Sequence, residues 1–423
     1  MIKQKVIWIP FMFCFAFVFP LFTIREPPSL PNIPLPLFII SLRFWYTSMT
    51  NVTPEDHVFV NQKGEEFQLT IYNPLKGKAD TTPAPPVLLC VHGAGMSGEN
   101  YGNLADYLQK TGKKEKGASV EPPPMRAPVG PMAPVPPDAA RFGPNSALFG
   151  GVKSEQSNED FDLVVITFDL RCHGRSTRNG GEESLTLDVM ANDFNGVLAH
   201  CKGSLFPQSD FYVIGHSLGG AIMCAALSEK KEAQQRVSGA IMLDIVEGTA
   251  KMSLAHMKDF LKKRPNTFPT VKDAETWFLQ LGGMRSPSGA ARAVPALLKP
   301  MEIHGVTVYT WKTDLGKMET VWDSWFDDLD KRFINLPFSK MLCLANAERL
   351  DTQLTVAQMQ GKFQFELIGN DCGHYVMDDA TATLGTKIRH FIHRINSVSQ
   401  VFKAANQKAA QFITTMPPSL PAA

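Results

Sequence analysis

Continuous apolar runs alternate with amphipathic stretches along most of this chain. Four of the runs, VLLCV, LVVITF, YVIG and AIMLD, are apolar apart from one threonine and a terminal aspartate. Such strands are typical of a parallel sheet that helices cover on both faces. Counting four further β-rich runs, the pattern predicts eight strands: His57–Val60, Phe67–Tyr72, Val87–Val91, Leu163–Phe168, Phe211–Ile214, Ala240–Leu243, Met341–Ala345 and Phe365–Ile368.

Helix-like stretches fall between these strands, at residues 100–110, 184–202, 217–229 and 379–395. Strands that alternate with helices indicate a parallel sheet with right-handed crossovers, and the first two runs suggest an antiparallel edge hairpin. The chain is therefore predicted to be an α/β protein with an eight-stranded, mostly parallel sheet.

Two insertions interrupt the alternation. Residues 114–157 are rich in proline, which disfavours helix and central strand, so a disordered surface loop is expected there. Residues 250–336 are helix-like and rich in aromatic residues, and they fall between the sixth and seventh predicted strands. A helical cap at this point would lie over the carboxyl edge of the sheet, where open α/β folds bind ligands.

Composition sets the outer limits of the predicted α/β domain, which we place at residues 49–395. Residues 1–48 form an apolar leader, in which the uncharged stretch 6–24 indicates either a membrane anchor or an extension absent from the working protein. Residues 396–423 are predicted to be a disordered tail. A net charge of +1 gives no reason to expect a nucleic-acid partner, and seven scattered cysteines without a CxxC pair predict neither a disulfide framework nor a zinc site.

The segment Phe211–Ala221 carries the pattern Gly-x-Ser-x-Gly between an apolar strand and a helix of small residues. Gly215 and Gly219 permit a turn too tight for side chains, and Ser217 stands between them. A strand, a sharp turn and a helix in this order form a nucleophile elbow. The sequence therefore predicts Ser217 as a nucleophile, whereas dehalogenases and epoxide hydrolases would need an aspartate there.

A serine nucleophile needs a histidine to take its proton and a carboxylate to orient that histidine. His374 follows the last predicted strand in the turn Asp-Cys-Gly-His and is the predicted base. Asp244 and Asp351 each follow a predicted strand, and the residues alone leave both open as the acid.

An oxyanion hole needs two backbone N–H groups directed at the developing negative charge. Leu218, which follows the nucleophile, is predicted to supply the first, and Ala94, in the loop His-Gly-Ala-Gly, the second.

Several further segments resemble the protein phosphatase methylesterases, α/β-hydrolases that remove the carboxyl-terminal methyl ester from the catalytic subunit of type 2A phosphatases. The resemblance spans about 51–395, and its narrowest motifs are MLDIVEGTA and MQGKFQ. Broader matches are PPVLLCVHGAG, DLRCHGRS, VIGHSLGGAI, YTWKTDLGKMETVWDSWF and CGHYV. The leader and the Pro-rich insertion depart from the family pattern.

The resemblance implies a catalytic function for the chain. It favours Asp244 as the acid, because the family's acid is the aspartate that opens the D-x-V-E-G-T-A run. It implies a phosphatase tail ending in methyl-leucine as substrate, no cofactor or metal, and a cytosolic or nuclear location.

Three alternatives remain at this point. An esterase or lipase for small or lipid esters would share every catalytic residue and would suit a membrane anchor. A serine peptidase could use the same triad. A non-catalytic hydrolase-fold binding protein would have no need of Ser217, Asp244 and His374 together.

Overall fold

The continuous apolar runs form the central strands of an eight-stranded sheet in this computed structural model, which describes residues 52–76, 84–110, 161–176, 181–346, 350–369 and 371–415. The leader 1–48, the Pro-rich insertion 114–157 and residues 416–423 lie outside the described residues. The sheet strands are β1 (Glu55–Val60), β2 (Glu66–Tyr72), β3 (Val87–Val91), β4 (Val164–Phe168), β5 (Phe211–His216), β6 (Val237–Leu243), β10 (Ser339–Leu344) and β11 (Gln364–Leu367).

The spatial order of the strands is β1-β2-β4-β3-β5-β6-β10-β11. Strand β1 pairs antiparallel with β2, and β2 pairs antiparallel with β4, whereas the other neighbours are parallel. The predicted α/β class, the strand count and the antiparallel edge hairpin are thereby confirmed.

Helices cover both faces of the sheet. They are α1 (Gly102–Lys110), α2 (Leu187–His200), α3 (Leu218–Glu229), α4 (Lys231–Gln234), α5 (Glu247–Lys263), α6 (Val271–Gln280), α7 (Pro287–Leu297), α8 (Leu329–Asn335), α9 (Thr352–Met359), α10 (Val376–Asp379) and α11 (Thr381–Thr415). Successive residues of β3 enter different cores: Leu89 packs in the cluster with α2 and α3, and Leu88 in the cluster with α1 and α11. Burial on both faces explains why the central strands have no polar alternation.

The insertion between β6 and β10 is not helical throughout. Besides α5, α6 and α7 it contains a three-stranded antiparallel sheet of β7 (Thr267–Phe268), β8 (Leu298–Ile303) and β9 (Val306–Trp311), in the order β7-β9-β8. Strands β8 and β9 meet at a turn in which His304 and Gly305 both have positive φ. A two-residue turn of this kind matches the twist of a hairpin. The predicted helical cap is thus corrected to a mixed one.

The last helix also corrects the predicted tail. Helix α11 continues to Thr415, although residues 396–423 were expected to be disordered. Residues 396–415 are rich in alanine, glutamine and lysine and contain no proline, so their intrinsic preference favours helix. Among the described residues, no helix is both long enough and apolar enough to cross a membrane.

Candidate active site

Ser217 lies in the tight turn that joins β5 to α3. Its backbone has φ 52° and ψ −123°, a conformation that costs a residue with a side chain about 1–3 kcal/mol. A Cβ on Gly215 would lie 2.4 Å from the Gly219 carbonyl oxygen, and one on Gly219 would lie 2.3 Å from the Val91 oxygen. Both glycines are therefore required by backbone contacts. The turn leaves Ser217 half-buried, although the residues on either side are buried.

Asp244 and His374 form a buried hydrogen-bonded pair. Asp244 directly follows β6, and its Oδ2 lies 2.8 Å from His374 Nδ1. The other carboxylate oxygen accepts a hydrogen bond from the Ala345 N–H at 3.0 Å. The side chain of Asp244 is fully buried, so the carboxylate has one fixed orientation toward the imidazole. With Nδ1 facing a carboxylate, Nε2 is the nitrogen available for a reacting hydroxyl.

The alternative acid, Asp351, has a different role in the structure. It is the N-cap of α9, where its Oδ1 accepts a hydrogen bond from the Leu354 N–H at 2.9 Å. Its carboxyl group also hydrogen-bonds Asp330, and burial together with this bond raises the pKa of Asp330 to about 8. Asp351 therefore caps the start of α9, and the carboxylate that contacts His374 belongs to Asp244.

The loop after β3 approaches the elbow closely. A Cβ on Gly93 would lie 3.0 Å from both Ser217 Cβ and His216 Nδ1. The Gly95 N–H donates to His173 Nε2, and the Met96 N–H donates to the Gly93 oxygen. These hydrogen bonds use the N–H groups of Gly95 and Met96, the last two residues of the loop 93–96. Ala94 lines the same cavity as Ser217, and its role as an oxyanion donor stays a prediction.

Two buried histidines hold this loop, and sequence analysis did not single them out. The Leu170 N–H donates to His92 Nε2, so His92 Nδ1 carries the proton and donates to the Gly93 oxygen at 2.8 Å. His173 accepts from Gly95 at Nε2 and donates from Nδ1 to the Arg171 oxygen. Burial lowers the pKa of His92 to about 4 and that of His173 to about 3. The sequence signals that could have identified these histidines are the motifs His-Gly-Ala-Gly, which begins with His92, and Cys-His-Gly-Arg, which contains His173.

His216, inside the elbow, contacts the base. Its Nε2 lies 2.7 Å from the His374 carbonyl oxygen, and the two rings have centroids 4.5 Å apart. Burial, reinforced by His374, lowers the pKa of His216 to about 3, so the ring is neutral and donates from Nε2. The ligand atoms of His216, Asp244 and His374 lie within 4.8 Å of one another. Hydrogen bonds within the cluster account for this closeness, and we assign no metal to it.

A cavity of about 80 Å³ opens above these residues. Ser217, Leu218, Ala94 and His374 line its floor. The cap supplies most of the wall, which is mainly apolar and aromatic and includes one serine, Ser253, and one cation. Its other members include Met257, Phe260, Arg264, Trp277, Phe278, Trp311, Trp325 and Phe326. The site can accept an apolar acyl group beside a strained serine and a histidine–carboxylate pair.

The Alpha/beta hydrolase family model matches residues 88–385. Among solved structures, an E-2-(acetamidomethylene)succinate hydrolase has a TM-score of 0.54 at 12% identity, over 80% of this chain and 99% of that one. This likeness shows the fold. The fold and the site together define a hydrolase of the α/β class.

Similarity to curated relatives identifies the family within the α/β hydrolases. Protein phosphatase methylesterase 1 of Schizosaccharomyces pombe is 34% identical over 253 residues, which cover 60% of this chain and 72% of the relative. The human protein of the same name is 32% identical over 291 residues, with 60% and 74% covered. The chain belongs to the protein phosphatase methylesterase family and is a carboxylic ester hydrolase.

Proposed function

We propose that this protein removes the methyl ester from the carboxyl-terminal leucine of the type 2A phosphatase catalytic subunit, and that Ser217, His374 and Asp244 carry the reaction. The observation that supports it most is the buried Asp244–His374 pair at 2.8 Å beside the elbow serine, at the floor of an apolar cavity. The relatives from Schizosaccharomyces pombe and human, both protein phosphatase methylesterases, support a phosphatase as the class of substrate.

In the proposed mechanism the Ser217 hydroxyl attacks the ester carbonyl while His374 takes its proton. Asp244 holds the imidazole and stabilises the imidazolium that forms. The N–H groups of Leu218 and Ala94 donate to the oxyanion, and each such donor contributes about 3 kcal/mol. Methanol leaves with the proton from His374, and water then hydrolyses the acyl-enzyme, so two easier steps replace one difficult step. No cofactor enters this scheme.

We also propose a cytosolic or nuclear location. All six cysteines among the described residues are buried and free, which suits a reducing compartment. Proposed domain limits remain those of the sequence, with the hydrolase domain at residues 49–395.

The test is demethylation of a methylated type 2A phosphatase core by the full chain. Ser217→Ala is expected to lower the rate about a million-fold. The matched control is Ser228→Ala, which changes an exposed serine on the same helix, α3. A burst of methanol equal to the enzyme concentration would support the acyl-enzyme.

The apolar cavity also favours a second candidate, an esterase for small or lipid esters. A long-chain ester offered beside the phosphatase distinguishes the two. Turnover of the ester with the phosphatase left methylated would overturn the phosphatase assignment and retain the esterase. Equal phosphatase demethylation by wild type and Ser217→Ala would exclude Ser217 as the nucleophile.

A further inference from the structure

Arg264 is the one permanently charged residue in the cavity lining that the structure describes. It stands at the carboxyl end of α5, half-buried, and its guanidinium carbon lies 4.0 Å from the centroid of the Trp311 ring. A single cation in a mainly apolar wall gives this cavity a positive charge. A site for a purely apolar ester would have no need of this charge.

The four buried cations of the described ranges and the half-buried Arg292 have acceptors. Arg171 pairs with Glu65 and Asp193, and Arg292 pairs with Glu99 and Asp106. Lys202, Lys340 and Arg389 donate to backbone carbonyl oxygens. Buried charges generally have such partners because desolvation is costly.

The Arg264 guanidinium, by contrast, has neither an ion pair nor a hydrogen bond with any residue that the structure describes. Asp314 is an electrostatic neighbour, but its carboxylate accepts from the Gly316 N–H at 3.1 Å. Burial lowers the pKa of Arg264 to about 10, although Tyr375 and Asp314 act in the opposite direction. At Arg292, by contrast, Tyr72 and the carboxylates of Asp106 and Glu99 outweigh burial and raise the pKa. The guanidinium therefore lines the cavity with five N–H donors that no described residue uses.

Trp311 does not depend on the stacked Arg264 for its position. The Trp311 Nε1–H already donates to the Pro265 oxygen at 2.7 Å, and its ring packs edge-on against Phe268 and Phe278. Because the indole is fixed independently, the contact positions the guanidinium. A flat aromatic face leaves the edge of the guanidinium free for an acceptor.

We propose that Arg264 is a specificity residue that binds a carboxylate on the acyl part of the ester substrate, an acidic side chain near the end of the peptide tail. The inference rests on the proposed function, since the ester must occupy this cavity. The leaving group is methanol, so any group that reaches Arg264 belongs to the acyl part. The guanidinium prefers a carboxylate because it can donate two parallel hydrogen bonds.

The test compares pairs of peptide methyl esters whose two members differ only in a side-chain carboxylate or carboxamide. Each pair carries aspartate or asparagine at the first, second or third position before a carboxyl-terminal leucine methyl ester. For the full-length wild type, we expect kcat/KM to favour aspartate about tenfold at one of these positions. Arg264→Gln is expected to lower the ratio to about one, and Arg264→Lys to leave an intermediate ratio. Lys263→Gln, which removes an exposed charge next to it, keeps the wild-type ratio.

The outcomes separate the two proposals. Turnover of both peptides by the wild type with no preference overturns the role of Arg264 and leaves the esterase intact. A preference that survives in Arg264→Gln while both rates fall shows that Arg264 only braces the wall, and overturns the inference as well.

Binding gives a readout that does not depend on turnover. In Ser217→Ala, the aspartate peptide amide is titrated while tryptophan fluorescence is followed, because Arg264 stacks on Trp311. We expect about tenfold weaker binding in Ser217→Ala/Arg264→Gln than in Ser217→Ala alone. Equal affinities would overturn the inference even if no ester were cleaved, whereas absence of ester cleavage by the wild type counts against the proposed function.

Discussion

The floor and the wall of the cavity are built by different interactions. The floor (Ser217, Asp244, His374 and the loop 93–96) follows strand ends and is held by hydrogen bonds to backbone groups. The wall (Phe260, Trp277, Phe278, Trp311 and Trp325) comes from the cap and is held mainly by ring packing, with centroids of neighbouring rings 5.1–6.5 Å apart.

The difference separates chemistry from selection. Directional bonds leave a floor residue one orientation, so a change there should affect the chemical step with little change in apolar packing. Ring packing is not directional, so a change in the wall should alter substrate binding and stability together. Arg264 is the exception in the wall, because it offers directional donors.

After the loss of about a million-fold expected for Ser217→Ala, the largest expected effect within the floor comes from Asp244→Asn. An amide can turn its NH₂ toward His374 Nδ1 and stabilise the wrong tautomer, so kcat is expected to fall about ten-thousand-fold. Asp351→Asn is the matched control: asparagine is also a good N-cap, so kcat should stay within about twofold and unfolding should change little. Ester hydrolysis and chemical denaturation measure both. Comparable losses of kcat in the two variants would contradict the assignment of the acid.

A smaller effect is expected in the wall. Trp277→Leu removes a ring that packs against Phe260, Phe268 and Trp311, and the lost apolar contact of about 1–2 kcal/mol should raise KM roughly tenfold. Met301→Ala, an exposed change in the neighbouring strand β8, should alter neither kcat nor KM. Steady-state kinetics of ester hydrolysis give kcat and KM for the wild type and for both variants. A fall in kcat at constant KM would show that the wall takes part in the chemical step.

The smallest expected effect concerns pH and the histidines that hold the floor. The pKa values of His92, His173 and His216 are lowered to about 4, 3 and 3, below the ordinary value of 6.5. The unfolded chain therefore binds more protons in acid. Stability from each neutral ring is complete above pH 6.5 and is lost as the pH falls toward the folded values, by up to about 1.4 kcal/mol per pH unit.

Urea unfolding at pH 7.0, 6.0 and 5.5 tests this expectation. His173→Gln should show a shallower loss of unfolding free energy than the wild type, by about one histidine's share. His256→Gln, which changes an exposed histidine of α5, should follow the wild type. Parallel pH curves for His173→Gln and the wild type would contradict a neutral His173 in the folded state.

Some of the structure was not predictable from local sequence. Strand β8 contains Pro300 and two charged residues, so its strand signal is weak; it is tolerated because β8 is an edge strand of the small sheet. The turn His304–Gly305 lacks the usual Asn-Gly pair, which hid the hairpin. The helical continuation to Thr415 was missed because the Pro-rich end of the chain suggested disorder for the whole segment.

The choice of acid shows the same limit at the site. Asp244 and Asp351 both follow strands, and residues alone gave even weight to each until a resemblance favoured Asp244. Strand β10 lies between β6 and β11 in the sheet, so strand order brings both acids near the strand that precedes His374. Only the side-chain contacts show that Asp244 faces His374 while Asp351 caps a helix. Distance along the chain carries no information on such a contact.

The sequence by itself determined the α/β class, the eight strands and the elbow around Ser217, because apolar runs and a glycine-bounded turn are local properties of the chain. Tertiary structure decided the rest. The Asp244–His374 bond joins residues 130 positions apart, and the wall with its cation Arg264 comes from a separate insertion folded over the sheet. Packing between distant segments, which no local pattern specifies, brings these groups into one cavity.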